Sequence, residues 1–119
     1  MANPNIVNVT TITGKTAVQA VGTSATAIVT NAAASGKIYK INSLIISNID
    51  GTNAADVTVD LYRSSTAYHL VKTVTVDADS SFSPIDKNLS IYLEEDDSLR
   101  LTASAAGDLE AICSYEEIS

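Results

Sequence analysis

Val57-Thr58-Val59-Asp60-Leu61-Tyr62-Arg63 alternates without a slip: Val57, Val59 and Leu61 fall on one side of an extended chain, Thr58, Asp60 and Tyr62 on the other. Residues two apart share a face of a strand, so this stretch predicts a half-buried β-strand. The same period runs outward from it. Asn88 to Leu93 places Leu89, Ile91 and Leu93 inward, and Ser98 to Ala103 does so with Leu99, Leu101 and Ala103. Leu109 to Glu116 sets Leu109, Ala111, Cys113 and Tyr115 against Glu110, Ser114 and Glu116, and Ile112 breaks the pattern as though its outer face were partly covered. Tyr68 to Val76 carries Tyr68, Leu70, Val74 and Val76 inward, interrupted by Lys72. Ile38 to Ile49 is apolar on both parities, which predicts a central strand or a bulge near Asn42-Ser43 that switches faces. Ile6–Thr13, Thr16–Val21 and Ala25–Asn31 bring the expectation to about nine strands.

Turn signals separate these runs at Gly14-Lys15, Gly22-Thr23, Ser35-Gly36, Asp50-Gly51, Ser64-Ser65, Asp77 to Ser81, Asp96-Asp97 and Ala106-Gly107-Asp108. Asp50-Gly51 is the strongest of them, because glycine tolerates positive φ. Only Glu94 to Asp97 separates two of the strands, which predicts a hairpin between Asn88–Leu93 and Ser98–Ala103. No amphipathic helical stripe longer than two turns exists; Ala32-Ala33-Ala34 makes a single turn at most. The expected fold is all-β, a single antiparallel β-sandwich, jelly-roll-like, of about eight or nine short strands. One domain spans residues 1–119. Within it, 1–14 reads as an N-terminal arm or edge strand and 116–119 as a short acidic end.

The 119 residues carry a formal net charge of −7, which repels a polyanion, and the basic residues are scattered rather than gathered in a patch. A nucleic-acid partner is therefore not expected. No signal-peptide pattern, lipidation motif or run of roughly 20 apolar residues points to a membrane. Synthesis in the cytoplasm and a soluble chain follow as expectations. One His and one Cys leave no multi-ligand zinc site or disulfide framework, and Cys113 reads as a small buried hydrophobe.

Catalysis finds little to work with. His69 points away from the face of Tyr68 and Leu70, and no Gly-x-Ser-x-Gly elbow exists. The carboxylates Glu94-Glu95-Asp96-Asp97 sit at a turn, where they are normally solvated, so the chain is not expected to be an enzyme or to need a cofactor. Calcium is the sharper alternative: Asp77, Asp79, Asp96 and Asp97 supply oxygen ligands in two loops, which could share a cation if they meet at one end of the sandwich. Carbohydrate stacking would use Tyr62, Tyr92 or Tyr68. Tyr62 and Tyr92 lie at outward parity and otherwise serve as cross-strand or oligomer contacts.

The N-terminal stretch, with Ile6, Val7, Val9 and Ile12 and no charge but Lys15, exceeds what a small sandwich needs inside. It either forms edge strands of the same domain or packs on a neighbour. Flat Thr, Ser and Ala faces lose little side-chain entropy on contact, which suits packing between rigid bodies.

A resemblance is carried by Gly36-Lys37-Ile38-Tyr39-Lys40-Ile41-Asn42-Ser43-Leu44-Ile45-Ile46-Ser47-Asn48, then Ile91-Tyr92-Leu93-Glu94-Glu95-Asp96-Asp97-Ser98-Leu99-Arg100-Leu101-Thr102-Ala103, then Ser114-Tyr115-Glu116-Glu117. In this order the segments, over residues 36–119, resemble small β-sandwich virion structural proteins of tailed bacteriophages. Asp96 stands where such sequences usually carry Gly, so it should sit near left-handed φ. The resemblance implies a capsid decoration (cement) protein, a homotrimer on the outer capsid surface, bound to the major capsid protein and bridging capsomers of the expanded head. A tail, neck or fibre accessory module is the alternative within that family, and a calcium- or carbohydrate-binding module the alternative outside it.

Overall fold

The computed structural model describes residues 3–119, and among them nine strands form two antiparallel sheets. The strands are β1 (Ile12–Ala20), β2 (Thr26–Thr30), β3 (Ile38–Asn48), β4 (Ala55–Arg63), β5 (Thr66–Val76), β6 (Ser81–Ile85), β7 (Ile91–Leu93), β8 (Ser98–Ala103) and β9 (Leu109–Ile118). One sheet runs β1-β9-β3-β6, with β7 also paired to β3; the other runs β2-β8-β4-β5. The β-sandwich read from the sequence is the fold.

The core lies between the sheets, where the alternating residues meet. Ile41, Leu44, Ile46, Val57, Val59, Leu93, Leu99, Leu101 and Cys113 are wholly buried. Each large aliphatic among them contributes about 1.5–3 kcal/mol by leaving water. The face switch expected in β3 is present as a register shift between Ile41 and Ser43 against β9, which turns Ile41 and Leu44 to the same side. In β5 two register shifts against β4, together with Thr73 at φ 51°, absorb the interruption at Lys72. Val71 therefore takes the inward place opposite Val59, while Tyr68, opposite Leu61, is exposed rather than buried.

Several expectations are corrected. Gly14-Lys15 is not a turn. β1 passes through it in unbroken register with β9, from Ile12↔Ile118 to Ala20↔Glu110. Residues 6–11 are not a strand, because Asn5 closes a turn: its side chain accepts from the Val7 amide at 3.0 Å and its carbonyl from the Asn8 amide at 3.0 Å. Leu89 is exposed ahead of β7. Ser81–Ile85, absent from the expected strands, forms β6. Its Pro84 is tolerated at a sheet edge, and Phe82 packs on the core.

The hairpin expected at Glu94–Asp97 does not form, for β7 belongs to one sheet and β8 to the other. The four residues arch across the sandwich instead. The Asp97 carboxylate accepts from the Glu94 amide at 2.8 Å and from Arg63 Nε at 2.8 Å and Nη2 at 2.6 Å. Asn31 and the arch exchange backbone bonds at 2.9 Å each, and the Asn31 side chain donates to Lys37 and Leu93 carbonyls. Asp96 has φ 68°, the left-handed value anticipated for it. Asp50-Gly51 does turn the chain, but through the Asp50 carboxylate, which accepts from the Thr52 and Asn53 amides; Gly51 is not at positive φ.

The last residues are no separate acidic tail. Glu116 to Ile118 complete β9, and Thr11 and Ser119 exchange two backbone bonds at 2.9 Å. Asn3 donates to Glu94 at 2.7 Å, so the N-terminal segment runs between these two anchors, past the ends of β3 and β9. Ile38 and Ile118 are buried there, outside the main core cluster.

Candidate functional site

The two outer faces of the sandwich differ in kind. On the sheet of β2, β4, β5 and β8, polar groups satisfy one another. Asp60, nearly fully buried, receives Arg100 Nε at 2.9 Å and Nη2 at 3.1 Å. The Arg100 guanidinium lies 3.9 Å from the Tyr62 ring centroid. The Asp60 hydrogen bond outweighs desolvation and pushes the Arg100 pKa up. Thr75 donates to Asp56, and Thr58 accepts from the Thr73 amide. His69 is exposed on this face opposite Asp60, whose two oxygens Arg100 holds.

The outer face of the other sheet holds two adjacent uncharged rows, flanked by Glu110 on one side and by Glu116 and Lys40 on the other. Register aligns Val18 with Ile112 and Ile112 with Ile45, so three aliphatics form one row across β1, β9 and β3. They are 74%, 48% and 39% exposed. Ile112 is thus uncovered within the chain, contrary to the cover its broken alternation suggested. The neighbouring row is Thr16, Ser114 and Ser43. These two rows carry no charge in a chain of net charge −7. Beside them a shallow groove of about 290 Å³ runs along Val18, Ala20, Ser47, Glu110 and Ile112. Large contiguous apolar patches mark contact surfaces, which makes this row and its groove the candidate site.

The residues singled out from the sequence are dispersed. Ile6 and Val7 are exposed on the N-terminal turn, Val9 is half-buried, and Ile12 is exposed at the start of β1. Tyr92 is exposed at the opposite margin of the sheet, across from Lys40. The ring of Tyr62 is occupied by Arg100. Among these only Ile12 shares a strand with the apolar row. The acidic loops do not converge: β4 begins beside Asp77, through Ala55↔Val76, and ends beside Asp97, through Tyr62↔Ser98. A nine-residue strand separates them by roughly 25 Å. Among the described residues no group of three or more His, Cys, Asp or Glu is arranged to hold a metal.

At the end of the sheet, Glu117 bridges Lys15 at 2.9 Å and Lys37 at 2.6 Å. Hydrogen bonds from Lys37 and then Lys15 lower its pKa to about 2. Tyr39 and Tyr115 pack beside this clamp with ring centroids 5.6 Å apart. Sequence reasoning did not find the Val18–Ile112–Ile45 row, since only the register places the three side by side. The single sequence signal was the break in alternation at Ile112.

No family model and no curated protein matches the chain. Among solved structures it is similar to a Bacillus endospore appendage chain, described as belonging to a family of disulfide-linked pili. The identity is 20%, the TM-score 0.54, and the match covers 98% of this chain and 95% of that one. At this identity the likeness concerns the fold.

Proposed function

We propose that this chain is a non-enzymatic structural subunit, a capsid decoration protein that binds the outside of a phage head and stabilises the expanded shell by bridging capsomers of the major capsid protein. The observation that carries the reading is the exposed Val18–Ile112–Ile45 row and the uncharged Thr16–Ser114–Ser43 row beside it, on the outer face of one sheet of an acidic molecule. Such a face docks on a rigid surface with little entropy to lose, and repetition around a lattice turns weak contacts into avidity. Binding only the assembled, expanded shell stabilises that state by mass action. The acidic remainder suits an outer surface, away from packaged DNA phosphates.

The test is to add the purified chain to expanded heads and to procapsids and count bound copies by quantitative mass spectrometry. Binding in lattice-scale numbers to expanded heads alone is the expected result. Recovery at one vertex or along the tail would replace this reading with the tail, neck or fibre one, and binding of calcium or a glycan by the isolated chain would replace it with a free binding module.

A second reading is favoured by the fold likeness, which spans nearly the whole of both chains: a subunit of a filamentous surface appendage. A disulfide linkage like the one described for that neighbour has no accessible thiol here, because Cys113 is wholly buried. Filaments growing from the purified chain alone, seen by electron microscopy, would favour it over the decoration reading.

A further inference from the structure

We infer that β1 is a self-complementary seam, through which two copies of this chain join edge to edge in antiparallel register about a twofold axis at Thr16. Backbone direction decides which groups of β1 are free. Thr11 and Ser119 exchange both of their backbone bonds, and Val21 donates to the Leu109 carbonyl at 2.9 Å. In an antiparallel ladder such mutual pairs recur at every second residue. The odd-numbered residues of β1 therefore bond β9, and the N–H and C=O groups of Ile12, Gly14, Thr16, Val18 and Ala20 point out of the sheet. Among the described residues β1 pairs with β9 alone, so this outward ladder has no strand beside it.

Natural sheets blunt such edges with proline, bulges, short strands or charge. The other three edges of this sandwich follow that rule. β2 has five residues and a register shift, and β6 has five residues and Pro84. β5 carries two register shifts, with Thr73 at φ 51° and Lys72 exposed. β1 does not: nine residues run in continuous register without proline. Its one charge, Lys15, has odd parity and is held by Glu117 at 2.9 Å.

A second copy of β1 fits this edge in one register. Pairing Thr16 with the partner's Thr16 sets Ile12 opposite the partner's Ala20 and Gly14 opposite the partner's Val18. Every outward group then finds a mate, giving about ten inter-chain backbone bonds. Each exposed aliphatic meets a small residue, and no residue whose backbone forms the seam is charged, so the net charge of −7 on each copy meets no like charge there. The contact joins copies in twos, where the family resemblance implies threes. It stands independently of the decoration reading.

The experiment uses the purified full chain. Sedimentation and light scattering at micromolar concentration should give twice the chain mass. Thr16→Pro removes only an outward donor and should give a folded monomer. Thr16→Cys should close a disulfide-linked dimer under mild oxidation, because Cα atoms of a mutual pair lie about 5.5 Å apart. Thr26→Cys, on the short edge of the other sheet, should not. Wild-type monomers or trimers, or an accessible Thr16→Cys thiol that fails to cross-link, would overturn the inference, and the cross-link decides the matter if Thr16→Pro does not fold.

Discussion

Asp97 shows how one buried carboxylate can fix a change of sheet. It is 1% exposed, yet it accepts from Arg63 twice and from the Glu94 amide once. Those three bonds define the arch between β7 and β8. Asp97→Ala leaves the Glu94 amide without its acceptor and Arg63 with Glu94 and solvent alone, so we expect a loss of about 2 kcal/mol, read as a shifted urea midpoint with unchanged slope. Cys113 is opposite in character: burial alone pushes its pKa to about 12. The native protein should leave a thiol reagent unreacted at mildly alkaline pH and react fully once denaturant is added. Glu117 makes stability depend on acid. Its folded pKa of about 2 lies below the ordinary glutamate value of 4.5, so its contribution is complete above about 4.5 and drains away as the pH falls toward about 2. Glu117→Gln should flatten the melting temperature against pH across that window.

Among the elements, the strand faces were legible because alternation records which side meets the core. Val57, Val59, Leu99, Leu101, Leu109 and Cys113 all fall where their parity put them. The bulge in β3 was legible too, since apolar residues changed parity at Asn42-Ser43. Connections were not. Four residues between two strands serve equally well as a hairpin loop or as an arch, and the choice here rests on Arg63 and Asn31, distant in sequence from the turn they hold. β6 escaped notice because Ser and Pro outnumber its apolar residues. The outer row escaped because register, which brings Val18, Ile112 and Ile45 together, is not a local property. Among the described residues the one hairpin between consecutive strands that pair, β4–β5, turns on Ser64 at φ 51° and Ser65 at φ 61°. These values belong to a tight turn that Asn-Gly adopts with far less strain. The double substitution Ser64→Asn with Ser65→Gly should raise stability by about 1 kcal/mol, measured by thermal or chemical denaturation.

For the whole molecule, the contrast between a self-paired polar face and one that leaves a row of aliphatics exposed gives it a direction. Ile112 stands on a central strand, about half exposed between Val18 and Ile45, so Ile112→Lys should cost no more than about 1 kcal/mol of stability. On the proposed reading the same change should abolish binding to expanded heads, measured by co-sedimentation. Unchanged binding would move the docking surface elsewhere on the sandwich.

Of the strand pairings among the described residues, β4–β5 alone joins neighbours in the chain; β1–β9, β2–β8 and β3–β9 each close a long loop. Chains that must find distant partners fold slowly, on the millisecond-to-second scale, because loop closure is costly before contacts reward it. While β9 is still undocked, β1 lies open along both edges. At high rates of synthesis, premature encounters between nascent copies compete with maturation, and yield should fall with expression level and recover at slower induction.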